Sequence, residues 1–402
     1  MEDAIGEHSF ERGVQLQKAR RFAEAAEIYR RLARDRLTVN LAVNLGVCLA
    51  EIGDRAGAVR YLGMASRHDP SNGNLHRMLA IANAEAGQTE LAEAGFRAAL
   101  AIKPDDPATR SALAGLYLSL GRFAEGWALD DARFALAPDR TPAVRASYPE
   151  WRGEPLNGKS LLVWVEQGFG DQIQMCRFVT MLKAQGAARV SVGCQPELAP
   201  LFSTLAGADD IIPAAAGTKV EVARHDYWSH YFSLPRYLHI TLENLPASPY
   251  LKAPADRHAR WGRSGRLGLA WRASSIGFNA GNKDLPDELA QRLFTAGAIS
   301  LHPEDTGARD FADTAAIIES LDLVISVDTA VAHLAGAMGK PCWTLLPYIH
   351  CDWRWLRGRT DSPWYPTMRL YRQTRPGDWS EIIDEVLRGL RDGSVAQGPP
   401  RA

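Results

Sequence analysis

Three polar side chains interrupt an apolar stretch of the chain at residues 326–341, which read SVDTAVAHLAGAMGKP. The residues just before it, LDLVI, are short, apolar and β-branched, which predicts a buried strand. The apolar side chains after it recur at three- and four-residue spacing, which predicts a helix. Asp328, Thr329 and His333 therefore lie at a strand-to-helix turn, and the chemistry of that turn needs an explanation.

The start of a helix is suited to binding an anion. Its first amide N–H groups have no partner within the helix, and the helix dipole adds partial positive charge. Ser326 and Asp328 end the strand, Thr329 can add a hydroxyl donor, and His333 points the same way because it follows Thr329 by four residues. A diphosphate is the ligand we expect here. A structural alternative stays open, in which Asp328 or Thr329 only caps the helix and His333 belongs to the core.

A second turn of this kind follows the apolar segment KSLLVWVE at residues 159–166, which predicts another buried strand. The turn reads QGFGDQ and leads into a helical pattern, which is how a Rossmann-like unit begins. Gly168 and Gly170 allow a tight turn and a close approach of a ligand to backbone amides. Asp171 begins the helix, where it either faces a ligand or serves only as a capping carboxylate.

These turns belong to a longer alternation of strands and helices, over residues 159–255 and again over residues 256–402. The alternation predicts two parallel sheets with helices on both faces. Ligands of such sheets bind beyond the carboxyl ends of the strands, so two such units facing each other would enclose a cleft. Arg272 and Ser274, which follow the predicted strand RLGLAW, are further candidates for phosphate binding.

The N-terminal third of the chain repeats itself every 34 residues, as shown by Leu45, Leu79 and Leu113 and by Pro70, Pro104 and Pro138. Each unit reads as two amphipathic helices joined by a turn with a glycine and ended by a proline. The pattern resembles the tetratricopeptide repeat (TPR). We expect a TPR domain over residues 1–138 and a linker over residues 139–158, which contains three prolines and two glycines.

Stacked TPR helices form a concave groove, which usually binds an extended peptide or another protein. We expect a protein or peptide partner there. Candidate groove residues are Asn40, Asn44, Asn74 and Arg110, since side-chain amides can hold a peptide backbone. Two alternatives stay open: the repeats could be a spacer, or an arm through which the chain oligomerises.

The composition argues against several classes of function. A formal net charge of -1 gives no reason to expect a nucleic-acid partner. The five cysteines are widely spaced and form no CxxC pair, which argues against a disulfide framework and a zinc site. No apolar run approaches the roughly 18 residues needed to span a bilayer. The N-terminus lacks the apolar core of a signal peptide. We therefore expect a cytoplasmic protein without a membrane span.

Residues 310–379 resemble a known family. They contain DFADTAAIIESLDLVISVDTAVAHLAGAMGKPCWTLLP, followed by DWRWLRGRTDSPWYPTMRLYRQ and GDW. These segments closely resemble the bacterial TPR glycosyltransferases, whose catalytic part is similar to the heptosyltransferases of the GT-B fold. The likeness extends through most of residues 159–390, and the domain plan also looks like that of the O-GlcNAc transferases. It implies an α plus α/β architecture, with a TPR solenoid before a GT-B-type pair of Rossmann-like domains.

The resemblance also implies a reaction. Such enzymes transfer a sugar from a nucleotide-diphosphate sugar with inversion, without a metal and without a further cofactor. The acceptor lies on the N-terminal half (residues 159–255), and the donor lies mainly on the C-terminal half (residues 256–402). The turn DTAVAHLAG matches the motif that holds the diphosphate, so Asp328, Thr329, Ala330 and His333 would contact the donor.

Two catalytic roles follow from the same resemblance. GFGDQ resembles the turn that carries the general base of heptosyltransferases, which implies Asp171 in that role. GNKDLPDELAQRLF resembles a stretch with a basic residue before a proline, so Lys283 would neutralise the departing diphosphate. Sugar transfer needs both a base and such a positive charge. The alternatives are a capping role for Asp171 and a solvated loop position for Lys283. A tryptophan of WRWLRGR could stack on a base or sugar, whereas Trp364 is expected in the core.

Three hypotheses about function remain at the level of the sequence. The first is a glycosyltransferase that modifies a protein held by the repeats, with flagellin as one client suggested by relatives of the same domain plan. The second is a scaffold or chaperone with a degenerate transferase fold. The third is a lipopolysaccharide sugar transferase, although no basic amphipathic membrane face is visible. The set Asp171, Lys283, Asp328 and His333 favours the first, because a scaffold has no chemical reason to keep it together.

Overall fold

The computed structural model describes residues 2–136, 146–215, 217–258, 261, 267–273 and 280–392, with side chains from residue 9 onward except at residue 280. Ser274 and residues 139–145 of the predicted linker lie outside the described residues. The chain divides into two compact units, which we describe separately. The first is Met1–Tyr117 with Tyr348–Cys351 and Thr374–Pro376, and the second is Leu118–Pro347 with Asp352–Gln373 and Gly377–Ala402.

The N-terminal part is built from paired helices, and their spacing follows the 34-residue repeat of the sequence. Helices α3, α5 and α7 begin 34 residues apart, and so do α4, α6 and α8. The predicted helical repeats are therefore confirmed. The helix bounds are α1 Glu2–Lys18, α2 Phe22–Asp35, α3 Val39–Glu51, α4 Arg55–His68, α5 Gly73–Glu85, α6 Thr89–Ile102, α7 Pro107–Ser119, α8 Phe123–Leu129 and α9 Arg133–Leu136.

The repeat also places the residues that begin and end these helices. Thr38, Asn72 and Asp106, each 34 residues apart, accept the backbone N–H three residues later at 3.3, 3.4 and 2.9 Å. Such caps satisfy amides that the helix itself leaves without a partner. The turns inside the pairs need a positive φ that glycine adopts without strain. It is 78°, 77° and 75° at Gly53, Gly87 and Gly121.

Two short segments from late in the sequence pack with the repeat helices in the first unit. The guanidinium of Arg55 lies 3.6 Å from the ring centroid of Tyr348 and donates to the Tyr348 carbonyl at 2.9 Å. The imidazole of His350 lies 3.4 Å from the carboxylate of Glu51. A guanidinium over an aromatic face is attracted by the ring quadrupole, which adds to the hydrogen bond. The turn between α3 and α4 is thus fixed to residues 348–351.

The first α/β half contains a parallel sheet that, within the described residues, has the order β3-β2-β1-β4. In its register Leu161 lies between Val190 and Tyr227. The central strand β1 is an apolar run that is buried at its three middle positions, as expected where both faces of the sheet are covered. The bounds are β1 Ser160–Trp164, β2 Arg189–Cys194, β3 Asp210–Pro213 and β4 Tyr227–His230, with helices α10 Phe169–Met175, α11 Val179–Ala184, α12 Ala199–Phe202 and α13 Leu234–Tyr237.

The second α/β half contains a parallel sheet with the order β6-β5-β7-β8-β9 among the described residues. Its core joins Leu269, Ile325 and Leu345 of the strands to Leu293 and Ile383 of helices. The bounds are β5 Leu267–Ala270, β6 Ala298–Ser300, β7 Leu323–Val327, β8 Cys342–Leu346 and β9 Met368–Arg372, with helices α14 Ala280–Lys283, α15 Asp287–Thr295, α16 Pro303–Thr306, α17 Phe311–Glu319, α18 Ala330–Ala337 and α19 Ser380–Arg391.

The predicted fold class, helical repeats followed by two parallel α/β halves, is confirmed. The strand order also marks where ligands should bind. In the first sheet the chain moves from β1 to one side and then returns to the other side with β4. In the second sheet it leaves β5 towards β6 and returns with β7. Ligands of parallel sheets bind at such switch points, beyond the carboxyl ends of the strands.

Candidate functional site

The turn after β7 leads into a helix that the residue before it, Thr329, does not cap with its side chain. Strand β7 is buried along its whole length, and Thr329 follows it in an extended conformation as the residue before α18. The hydroxyl of Thr329 makes no capping hydrogen bond. It lies 3.1 Å from the hydroxyl of Ser326, which in turn donates to the Val327 carbonyl at 2.7 Å. The first amides of α18 are therefore not capped by Thr329, which suits an anionic ligand.

Lys283 and Asp328 form an ion pair at the switch point of the second sheet, with 2.7 Å between Nζ and Oδ2. Lys283 lies in the connection after β5 and Asp328 directly after β7. Burial acts to lower the pKa of Lys283, but the close contact with the charge of Asp328 outweighs it, so the pKa is raised. The ammonium group therefore stays charged. It has three donors, so it can contact an anion while it holds Asp328.

Asp171 lies in the first turn of α10, at the switch point of the first sheet. One of its carboxylate oxygens, Oδ2, accepts the N–H of Gly168 at 2.9 Å, which ties the first turn of the helix to the residue before it. The side chain remains about one-fifth exposed. A carboxylate has about four lone-pair positions, so Asp171 can still accept a proton from an incoming hydroxyl.

Gly170 brings the two turns together. A Cβ atom on Gly170 would lie 2.9 Å from Cδ2 of His333 and 3.4 Å from Cα of Ala330. Cβ contacts below 3.0 Å essentially do not occur in proteins, so any side chain here would push α10 away from α18. The sequence predicted Gly170 as a point of ligand approach. In the structure its small size lets the start of α10 reach the start of α18.

His333 is a buried, neutral imidazole. Its Nδ1 lies 2.9 Å from the hydroxyl of Tyr365, and its ring stacks on Trp355 with 5.2 Å between centroids. Burial, and then the charge of Arg354, lower the pKa of His333 to about 3. His333 is therefore uncharged at neutral pH, and it can offer a diphosphate only a neutral N–H donor.

Arg354 occupies the centre of the cluster. Its guanidinium donates to both carboxylate oxygens of Asp352, at 2.9 and 2.8 Å, to Oδ1 of Asp171 and to Oε1 of Gln174. Its side chain is 8% exposed. Burial acts to lower the pKa of Arg354, but Asp352 and Asp171 outweigh it, so the pKa is raised. With His333 neutral, the formal charges of Asp171, Asp328, Asp352, Lys283 and Arg354 add to -1.

The structure brings together most of the side chains predicted from the sequence, but not all. Asp171, Lys283, Asp328 and His333 lie in one cluster with Ser326, Thr329 and Ala330. Arg272 does not join it: its guanidinium donates to Asp287 at 2.8 Å and is about half exposed. Trp355 and Trp364 are both fully buried, so neither offers a free face to a sugar. Within the described ranges, no group of three or more His, Cys, Asp or Glu side chains is arranged to hold a metal ion.

Sequence reasoning missed Arg354, Asp352 and Gln174. The contact between Arg354 and Asp171 joins residues 183 positions apart, and no local pattern encodes it. A weak signal exists in hindsight. Arg354 is a charge between two tryptophans, Asp352 precedes it by two residues, and Gln174 follows Asp171 by one helical turn. A charged residue inside an aromatic stretch needs a partner if the stretch is buried.

The structure consists of helical repeats followed by two parallel α/β halves, and both parts are similar to known proteins. Residues 288–348 match the family model of glycosyltransferase family 9 (heptosyltransferase). Protein FlbA of Caulobacter vibrioides is 27% identical over 429 residues, which covers 94% of this chain and 71% of FlbA. The predicted resemblance to a TPR protein with a heptosyltransferase-like part is thus confirmed. No helix in the described part of the chain is long and apolar enough to cross a membrane.

Solved structures of helical-repeat proteins also match part of the chain. MamA from Desulfovibrio magneticus is 14% identical with a TM-score of 0.30, covering 35% of this chain and 78% of its own. PcrH from Pseudomonas aeruginosa is 20% identical with a TM-score of 0.26, covering 33% and 93%. YrrB, described as a TPR protein with an unusual peptide-binding site, is 16% identical with a TM-score of 0.31, covering 34% and 71%.

Proposed function

We propose that this chain is an inverting, metal-independent glycosyltransferase that moves a sugar from a nucleotide-diphosphate sugar to a protein acceptor. The observation that supports the proposal is that the switch points of the two sheets bring their polar groups into one cluster. One of them supplies the carboxylate of Asp171, and the other supplies an uncapped helix start beside Lys283. These are the two groups that sugar transfer needs, a base at the acceptor and positive charge at the leaving group.

In the proposed reaction the donor diphosphate lies at the start of α18. Asp171 takes the proton from the acceptor hydroxyl as its oxygen attacks the anomeric carbon. The bond from that carbon to the diphosphate breaks on the opposite face, so the configuration inverts. Lys283 and the first amides of α18 neutralise the charge that develops on the departing nucleotide diphosphate. Ser326, Thr329, Ala330 and His333 shape the donor site, and Gly168 and Gly170 hold the base-bearing turn against it.

The proposal for a protein acceptor depends on the repeats. Ile81 and Leu91, on α5 and α6, are exposed apolar side chains, 36% and 58% accessible. Asn40 and Asn74 are exposed at equivalent positions of neighbouring repeats. Exposed apolar and amide side chains suit an extended peptide. Flagellin is the client class we propose to test first, and the donor sugar and nucleotide remain to be identified.

Calorimetric titration with UDP, ADP, GDP and CMP tests the donor site. We expect one nucleoside diphosphate to bind, and Lys283→Met to weaken it at least about tenfold through the lost charge. Lys252→Met is the matched control, because Lys252 is an exposed lysine of the same unit outside the cluster. If none of these nucleotides binds to the folded wild type, the proposal is wrong and a scaffold role becomes the better account.

A further inference from the structure

Arg354 joins the two α/β halves at the candidate base. It lies in the short 3₁₀ turn Trp353–Trp355 after β8, and it reaches α10 of the other half. There it contacts two residues one helical turn apart, Asp171 and Gln174. The segment that carries the proposed base is thus fixed by one side chain from the nucleotide half.

Arg354 is itself held in a defined position. Asp352 binds it through both carboxylate oxygens and also accepts the Arg354 backbone N–H at 3.0 Å. Both of these oxygens accept from one nitrogen, Nη1, so the plane of the guanidinium is fixed by the acceptors on its three nitrogens together. A buried charge is costly unless it is paired and hydrogen-bonded, and here each of the three guanidinium nitrogens has an acceptor. The arrangement is therefore rigid and specific rather than an incidental surface ion pair.

From this geometry we propose that Arg354 is a positioning residue for the transfer reaction, an inference that rests on the proposed function. It orients the Asp171 carboxylate through Oδ1, while the Gly168 N–H orients it through Oδ2. Because both oxygens are held, the carboxylate of Asp171 keeps one orientation, and its remaining lone pairs point in one direction. Holding the base in one orientation should speed the reaction, because misplacement of reacting groups by about 1 Å can lower the rate about 100-fold.

Direct binding of the diphosphate by Arg354 is the competing role. The contacts speak against it, since the guanidinium already makes four hydrogen bonds, to Gln174, Asp352 and Asp171, and the side chain is only 8% exposed. The donor site has its own cation in Lys283. The two roles differ in what a substitution should change, because loss of positioning lowers kcat whereas loss of a donor contact raises KM and Kd for the donor.

The experiment compares Arg354→Ala and Arg354→Lys with the wild type in steady-state transfer and in nucleotide titration. For Arg354→Ala we expect kcat to fall at least about 100-fold with the nucleotide Kd within about twofold of wild type. Arg354→Lys should recover part of kcat, because an ammonium restores the charge but not the fork. Added guanidinium ions should recover at least about tenfold in Arg354→Ala, a rescue that a purely structural role would not give.

Removal of Arg354 alone leaves Asp352 and Asp171 without their partner, and that variant could fail to fold. The double variant Arg354→Ala with Asp352→Asn removes one charge of each sign and serves as the second test, with the same expected loss of kcat. A raised donor Kd with unchanged kcat would contradict the inference and identify Arg354 as a donor contact. Unchanged kcat and Kd would contradict it as well. Absence of transfer by the wild type would contradict the proposed function itself and the inference with it.

Discussion

The turns after β1 and β7 have the same architecture, but their acidic side chains lie at different places and have different partners. Each follows a buried central strand, leads into a short helix and lies at a switch point of its sheet. After β1, the acid lies inside the helix: Asp171 accepts the Gly168 N–H and so ties the first turn to the residue before the helix. After β7, the acid lies before the helix: Asp328 pairs with Lys283, and Thr329 leaves the helix start uncapped.

The difference teaches how one fold can supply two complementary functions. A first turn that carries a partly exposed carboxylate is a place for a proton acceptor. An uncapped start beside a lysine is a place for an anion, because the helix dipole and the ammonium act together. Gly170 then lets the two turns meet, because His333 and Ala330 occupy the space that a side chain at this position would need. Four predictions test this contrast, from the largest expected effect to the smallest.

The largest effect should come from Asp171→Asn, which removes the base but keeps the shape. We expect kcat for sugar transfer to fall about 1,000-fold, while the affinity for the nucleotide changes less than about twofold. Steady-state kinetics and calorimetry on the same preparation measure both. Glu197→Gln, an exposed carboxylate of the same half, is the control and should behave as wild type. A substantial residual rate in Asp171→Asn would show that another group is the base.

Gly170→Ala should separate the two turns. Its Cβ would meet His333 at 2.9 Å, so we expect a loss of about 1–3 kcal/mol in stability from overpacking. We also expect transfer to slow by about 10- to 100-fold as the base moves from the donor. Gly115→Ala in helix α7 is the control, because within the described residues the added Cβ would meet no atom within 4 Å beyond its chain neighbours and its own helix backbone. If Gly170→Ala matches that control in melting temperature and rate, the two turns need not meet.

His333→Gln should change how stability depends on pH. In the folded chain the pKa of His333 is lowered from 6.5 to about 3, so between these values only the unfolded chain binds the proton. Stability therefore falls as the pH falls through this window, by about 1.4 kcal/mol per pH unit. Gln binds no proton, so the slope of the unfolding free energy against pH should decrease by the contribution of one proton, about 1.4 kcal/mol per pH unit.

Urea unfolding at a series of pH values below neutrality measures that slope for the His333→Gln protein. His239→Asn is the control, since His239 is exposed in the same unit and asparagine tolerates its positive φ. An identical slope for wild type and His333→Gln would mean that His333 is protonated in the folded protein.

The smallest effect on stability should come from Thr329→Ala, because Thr329 caps nothing. We expect a loss of less than about 0.5 kcal/mol, against about 1 kcal/mol for Thr38→Ala, whose hydroxyl caps α3 at 3.3 Å. Thermal unfolding of the two variants makes the comparison. Equal losses would show that Thr329 does support its helix, and the contrast between the two turns would weaken.

Much of this could be predicted from the sequence, because the relevant information is local. The 34-residue spacing predicted the helix pairs, and the apolar run before Asp328 predicted β7 and its turn. The resemblance of GFGDQ and GNKDLPDELAQRLF to family motifs pointed to Asp171 and Lys283 as candidates. Arg354 could not be predicted, since its partners on α10 are more than 170 positions away and its tryptophan neighbours indicated only a core. The sequence also did not predict that Arg272 pairs with the carboxylate of Asp287.

A crystal structure with the bound nucleoside diphosphate tests the central claim most directly. The account predicts phosphate oxygens within hydrogen-bond distance of the Lys283 ammonium and of the first amides of α18. It also predicts that the Asp171 carboxylate faces the β-phosphate side, with Arg354 still bound to it. A nucleotide located elsewhere, with the start of α18 unchanged and distant from any phosphate, would contradict the account.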